Sequence, residues 1–128
     1  VMVVCPPTRC ANALAVHFDP DPFAVFAESE LSACALHVPG VCFNPLCSRV
    51  FAPAREWQQY CSAACRQIGD REMRRVGHKA APALLAWQMG RYAKGGPQAD
   101  LSRAGRRYYS ALAADWLRDR RAKQGGAA

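Results

Sequence analysis

Cys42-Phe-Asn-Pro-Leu-Cys47 and Cys61-Ser-Ala-Ala-Cys65-Arg66, joined by the thirteen residues from Ser48 to Tyr60, decide how the rest of this chain is read. Thirteen residues let the chain fold back and bring four thiolates around one ion. Zn2+ takes four such ligands tetrahedrally at about 2.3 Å. With all four places filled by sulfur, none is left for a water or a substrate, so the metal would hold structure and perform no chemistry. Between the pairs, Val50 and Phe51 fall on one arm and Trp57 and Tyr60 on the other, with Pro53-Ala-Arg55 at the bend. That pattern predicts a β-hairpin whose aromatic side chains shield the metal. Trp57 could also stack on an exposed base, although cores claim most such residues.

Beyond the second pair, Ser62 is placed to cap a helix that carries Cys65 in its first turn and runs to about Gly77. Cys65, Ile68, Met73 and Val76 share one side of it, while Arg66, Arg71, Arg74 and Arg75 spread over the other. Such an arc of guanidinium groups can lie along phosphates or enter a major groove. The same arc is also what the solvated side of any amphipathic helix looks like. Arg66, close to the thiolates, could in addition steady their charge. Gly77-His78-Lys79 is expected to bend the chain, with Pro82 opening a second helix that ends near Ala93. Lys94-Gly-Gly-Pro97 then breaks it, and a last helix is predicted from about Asp100 to Lys123. Leu84, Leu85, Met89 and Tyr92 on one helix and Leu101, Tyr108, Leu112 and Trp116 on the other mark stripes that should pack as a helical hairpin. The last helix adds Arg103, Arg106 and Arg107 as a further candidate nucleic-acid contact. Arg118, Arg120, Arg121 and Lys123 follow near its end, where positive charge complements the helix dipole.

The pattern Cys-x-Asn-Pro-x-Cys, Phe-x-Pro, Tyr-Cys-Ser-x-x-Cys-Arg resembles the treble-clef or ribbon-type zinc fingers of small bacterial and phage proteins, near those with a Cys-Gly-Asn-Arg signature. The matching positions are Cys42, Asn44, Pro45, Cys47, Phe51, Pro53, Tyr60, Cys61, Ser62, Cys65 and Arg66, whereas Ala64 and Gln67 depart from the Cys-Gly-Asn-Arg variant. The resemblance implies a knuckle supplying the first ligand pair, a hairpin, and a helix whose first turn supplies the second. It also implies, for some members, DNA binding in transcription control.

Ahead of the knuckle, Cys5-Pro-Pro-Thr-Arg-Cys10 repeats its four-residue gap, and Cys34-Ala-Leu-His37 could complete a second zinc site made of Cys5, Cys10, Cys34 and His37. Against that, twenty-three residues intervene, and unpaired cysteines are often simply buried apolar side chains. Ala13 to Phe18 reads as a short strand, Asp19-Pro-Asp-Pro22 as a break, and Phe23 to Glu30 as a helical turn or a strand. The organisation expected is an N-terminal segment 1–41, a four-cysteine zinc finger with a basic helix over 42–78, a helical hairpin over 79–124 and a tail 125–128.

The 128 residues, 51% of them hydrophobic, suffice for one modest core. Charge is uneven: residues 1–41 hold Arg9 against Asp19, Asp21, Glu28 and Glu30, a net of −3, and the remainder holds sixteen bases and six acids, a net of +10. A polyanionic partner suits such a surface. Seven cysteines in clustered spacings, with no basic-then-apolar leader ahead of them, point to metal in a reducing cytoplasm before disulfides. No His-Glu-x-x-His or Gly-x-x-x-x-Gly-Lys run is present, and no cysteine has a matching base, so no enzyme is expected. The chain is therefore expected to be a small α+β protein, a treble-clef-like finger followed by an α-helical hairpin. Its expected work is zinc-dependent nucleic-acid binding, with DNA in transcription control first. The alternative is a non-catalytic interaction module or inhibitor docking on RNA polymerase, a ribosome or a defence complex through Tyr108, Tyr109 and Trp116, a face that would also permit a homodimer.

Overall fold

The computed structural model of the chain describes residues 18–55 and 57–127. The described residues divide into two compact units, one ending at Leu36 and one beginning at His37. In the first, Pro22 ends the Asp19-Pro-Asp-Pro22 stretch and accepts through its carbonyl from the amides of Val25 and Phe26, which starts the single turn α1, Phe23–Phe26. Helix α2, Glu28–Ala33, follows at Ala27 and has Glu28 and Glu30 in its first turn, where carboxylates favour the helix dipole. Phe23 to Glu30 is thus helical. The strand expected over Ala13 to Phe18 falls almost wholly outside the described residues.

The second unit is built on two long helices, α3 (Ala63–Met89) and α4 (Gly96–Ala127). The α+β expectation is wrong. Among the described residues there is no strand, only one isolated antiparallel bridge between Val41 and Val50, so this is an all-α chain with a helical hairpin. The chain after the first cysteine pair does fold back, but onto the residues in front of that pair. Cys42 N–H donates to the Arg49 carbonyl at 2.8 Å and Phe51 N–H to the Gly40 carbonyl at 2.8 Å. Gly40 sits at φ +79°, a backbone setting that a side chain resists. The supposed second arm is left without a ladder. Pro53 offers no N–H, and the Gln58 amide stands in for a strand partner by accepting from Ala54 N–H and donating to the Tyr60 carbonyl, both at 2.8 Å.

The bend expected at Gly77-His78-Lys79 is absent as well, and α3 runs through Pro82 for 27 residues, about 40 Å. A proline inside a helix costs about 3 kcal/mol. Packing against α4 offsets that. Cys65, Gly69, Glu72, Val76, Ala80, Ala83, Trp87 and Gly90 recur at steps of three and four as the shielded edge of α3. Ala99, Ser102, Gly105, Tyr109, Leu112, Trp116 and Arg120 do so on α4. These two rows form the seam of an antiparallel pair. Near the turn the seam is narrow: a Cβ at Gly105 would collide with the Ala83 carbonyl, and one at Gly90 with the Gln98 carbonyl. The Ser102 hydroxyl donates to the Trp87 carbonyl at 2.7 Å, and Tyr109 meets Trp87 edge-on at 6.0 Å. The large apolar side chains expected to fill the seam mostly flank it, and Leu84, Leu85, Met89, Tyr92, Leu101 and Tyr108 are all exposed.

Candidate metal centre

The cysteine cluster is made by short-range chemistry at the knuckle and at the start of α3. Asn44 accepts through its side-chain oxygen from Leu46 N–H at 3.2 Å, closing a turn of the kind that Asn favours. Its carbonyl accepts from the amides of Cys47 and Ser48, both at 3.0 Å, and Ser48 takes a positive φ of 49° to complete the reversal. This loop aims Cys42 and Cys47 to one side. Across from it, Ser62 caps α3 as expected, its hydroxyl accepting from Cys65 N–H at 3.3 Å, and the capped turn presents Cys61 and Cys65.

The four Sγ atoms of Cys42, Cys47, Cys61 and Cys65 all lie within 4.8 Å of one another. Cys47 and Cys61 are 3.7 Å apart and Cys61 and Cys65 3.8 Å. A tetrahedron of sulfur around a metal at about 2.3 Å has edges of about 3.8 Å, so the spacing suits one tetrahedral ion. N–H groups already point at the sulfurs: Asn44 Nδ2 donates to Cys65 Sγ at 3.5 Å and Cys61 N–H to Cys42 Sγ at 3.4 Å. Such donors spread the negative charge of metal-bound thiolates.

Burial pushes the Cys42 thiol up to about 12, because a lone thiolate there has lost its water. The Asn44 amide, helped by Ser62, pulls Cys65 down to about 7 despite some burial. Four anions this close are stable only around a cation, and a cation would have to release the proton from Cys42 to bind.

Aromatic and charged groups pack beside Cys42, the one buried cysteine of the four, while Cys47, Cys61 and Cys65 stay half-buried. Phe43, whose N–H donates to the Gln59 carbonyl at 2.7 Å, packs near Tyr60 and meets His37 edge-on at 5.4 Å. Tyr60 lies against α3 where Gly69 leaves room, for any Cβ there would strike its phenol ring. Over Phe43 sits Arg120 of α4, 4.3 Å from the ring centre, donating at 2.5 Å both to the Phe43 carbonyl and to Glu72. Trp116 Nε1 donates to the other oxygen of Glu72 at 2.7 Å. Arg120 and Glu72 are both shielded from water, so this is a buried ion pair with its hydrogen bonds made. Sequence reasoning missed it by placing Arg120 among the bases that complement the dipole at the helix end. The available signal was positional: Glu72 and Arg120 both stand on their helices' seam rows.

The remaining candidates are distributed as follows. Cys5 and Cys10 lie outside the described residues. Cys34 is exposed, and His37 has Nε2 2.7 Å from the Val41 carbonyl, in a position that serves the knuckle. Arg66, Arg71, Arg74 and Arg75 are exposed on α3, and Arg103, Arg106 and Arg107 on α4. The two groups are not neighbours. Glu72 lies opposite Trp116 and Arg120, whereas Gly105 lies opposite Ala83, so the Arg103 cluster stands near the turn and the α3 arginines near the cysteines. Arg118 and Arg121, not Arg103, share the level of the α3 arginines. Among the described residues, Arg103 pairs with Asp100 and Arg118 with Asp115, but none of Arg66, Arg71, Arg74, Arg75, Arg106 and Arg107 makes an ion pair. Of the proposed docking face, Tyr109 and Trp116 are engaged in the seam and Tyr108 is exposed. No described helix is long and apolar enough to cross a membrane.

Comparison with protein-family models, with curated proteins and with solved structures finds no match for this chain. A four-cysteine cluster does not by itself identify a particular zinc-finger family. What stands is a site whose four ligands, spacing and surrounding donors suit one metal ion.

Proposed function

We propose that Cys42, Cys47, Cys61 and Cys65 hold one structural Zn2+, and that the chain is a non-catalytic nucleic-acid-binding protein, with DNA in transcription control as its first setting. All-sulfur tetrahedral ligation favours zinc among common divalent ions, with a single iron as its competitor. The observation that carries the nucleic-acid reading is the set of exposed α3 arginines that make no ion pair among the described residues, on a helix whose first turn belongs to the cysteine cluster. A helix held in this way offers guanidinium groups in fixed places to phosphates or base edges. Elemental analysis of the purified chain decides the metal, and one zinc per chain is the expected result. Binding to duplex DNA, single-stranded DNA and RNA across a salt series tests the partner. Affinity should fall steeply with salt, and the slope should flatten in the Arg71→Ala, Arg74→Ala, Arg75→Ala triple variant. If no nucleic acid binds more tightly than it binds an unrelated protein of equal charge, the reading is wrong.

A second reading, a module that docks on a protein of a nucleic-acid machine, is favoured by a different observation. The turn end of the hairpin exposes Leu84, Leu85, Met89 and Tyr92. Substituting these with polar residues would abolish such docking and leave DNA affinity unchanged.

A further inference from the structure

A groove of about 510 Å³ runs between the 54–60 loop and the first two turns of α3, with Arg55, Trp57 and Tyr60 on one wall and Arg66 and Asp70 on the other. That volume lies in the range of clefts that take small organic groups. Asp70 also borders a second, shallower depression lined by Gln67, Arg71 and Arg74. Arg66, Asp70 and Arg74 follow one another at steps of four, which puts the two arginines on one side of the helix with their Cα atoms about 12 Å apart along the axis.

Trp57 is what sets this groove apart from a merely basic surface. Of the three tryptophans, Trp87 packs against Tyr109 beneath Arg91, and Trp116 is bonded to Glu72. Trp57 is 73% exposed. Arg55 lies 5.7 Å from its ring centre. A flat apolar ring in this position gives the fold no core and gives a ligand a stacking surface.

Resting on the nucleic-acid reading above, we infer that the groove takes an unpaired nucleotide of a single strand, with its base stacked on Trp57 and the flanking phosphates on Arg66 and Arg74. Only an unpaired base can offer its face to an indole, since in a duplex both faces are covered by neighbouring bases. Asp70, between the two arginines, turns phosphate away and accepts from an exocyclic amino group, which places a base edge at that level and phosphates to either side.

Anisotropy titrations of the metal-loaded full chain against a labelled single-stranded DNA, its RNA counterpart and the annealed duplex test this, with the variants Trp57→Ala and Trp57→Phe. Metal content and helical circular dichroism show that each variant is folded. Trp57→Ala should lose roughly ten- to hundredfold in affinity for the single strands, Trp57→Phe much less, and neither should change duplex binding. Preference for the DNA or the RNA strand says which source the nucleotide has. The inference is overturned if Trp57→Ala binds single strands as tightly as the parent, or loses equally on duplex. Arginine-dependent binding with Trp57→Ala unaffected removes the groove alone, whereas no binding by the parent to any strand removes both readings.

Discussion

The two ends of the α3–α4 seam are held by different physics. At the turn, backbones approach closely over Ala83, Gly90, Ala99 and Gly105, with the Trp87–Tyr109 pair packed beside them. At the cysteine end the seam carries Glu72, Trp116 and Arg120, joined by hydrogen bonds and an ion pair. The turn end is close-packed, so its stability comes from many short contacts. The cysteine end is held by a few strong and mutually dependent bonds, and by the ion that we propose its sulfurs bind. One end should therefore fail gradually under mutation and the other abruptly.

The largest expected effect follows from removing the metal. Structural zinc in finger peptides contributes on the order of 10 kcal/mol or more of apparent folding free energy. A strong chelator should release the amide protection of residues 37–76 in hydrogen exchange while the turn end keeps part of its own. Equal protection with and without chelator would sink the metal-centred account. The pH profile sharpens it. Cys42 holds its proton up to about 12, so metal affinity should rise with pH throughout the neutral range. Cys65 stops contributing a proton above about 7, and the slope should become shallower there. A competition titration against a chromophoric chelator between about pH 6 and 8 would show this as a bend.

Next in size is the buried ion pair. Arg120→Ala strands Glu72 without its cation and should cost about 3–5 kcal/mol, read as a lowered denaturation midpoint. Glu72→Ala should cost a similar amount, and the double variant less than the sum, because each single change leaves an unpaired charge. Simple additivity would mean that the two side chains do not act as a unit.

The smallest effects separate two glycines. Gly105→Ala puts a methyl group against the Ala83 carbonyl and should destabilise by about 1–3 kcal/mol. Gly77 faces open space on the same hairpin, so Gly77→Ala should stabilise by up to about 1 kcal/mol. Thermal melts of the pair, with opposite signs, would confirm where the seam is tight.

Features legible in the sequence were those fixed by neighbouring residues. The two cysteine pairs, the Ser62 cap and a break at Lys94-Gly95 each depend on chemistry within a few positions, although α4 starts at Gly96 with Pro97 in its first turn and not near Asp100. The β-hairpin was not there to be read, because residues 49–51 pair with 40–42, and alternation cannot name a strand's partner. Pro82 looked like a helix start for the same reason: its cost is local, but the packing that offsets it comes from Ala99 to Tyr109 on another helix. The seam was legible in part: Leu112 and Trp116 of the expected stripe stand on its α4 row, but near the turn large apolar residues were sought where glycine, alanine and serine lie beside Trp87 and Tyr109. Asn44 was visible only as a matching letter in a motif. Its tie to Cys65 spans 21 positions and needs the fold to be seen.

Arg120 closes over Phe43 from 77 positions further along the chain. During synthesis all four cysteines are made on the order of several seconds before that tie, at roughly 5–20 residues per second. The nascent protein thus passes through an interval in which its sulfurs are present while α4 is not yet fastened to the knuckle. An ion taken up by the proposed site in that interval would be as easily lost as gained, and completing α4 would turn a reversible catch into a lasting one. Metal release from the finished chain should accordingly be slow, and faster in Arg120→Ala, which a chelator-exchange time course would measure.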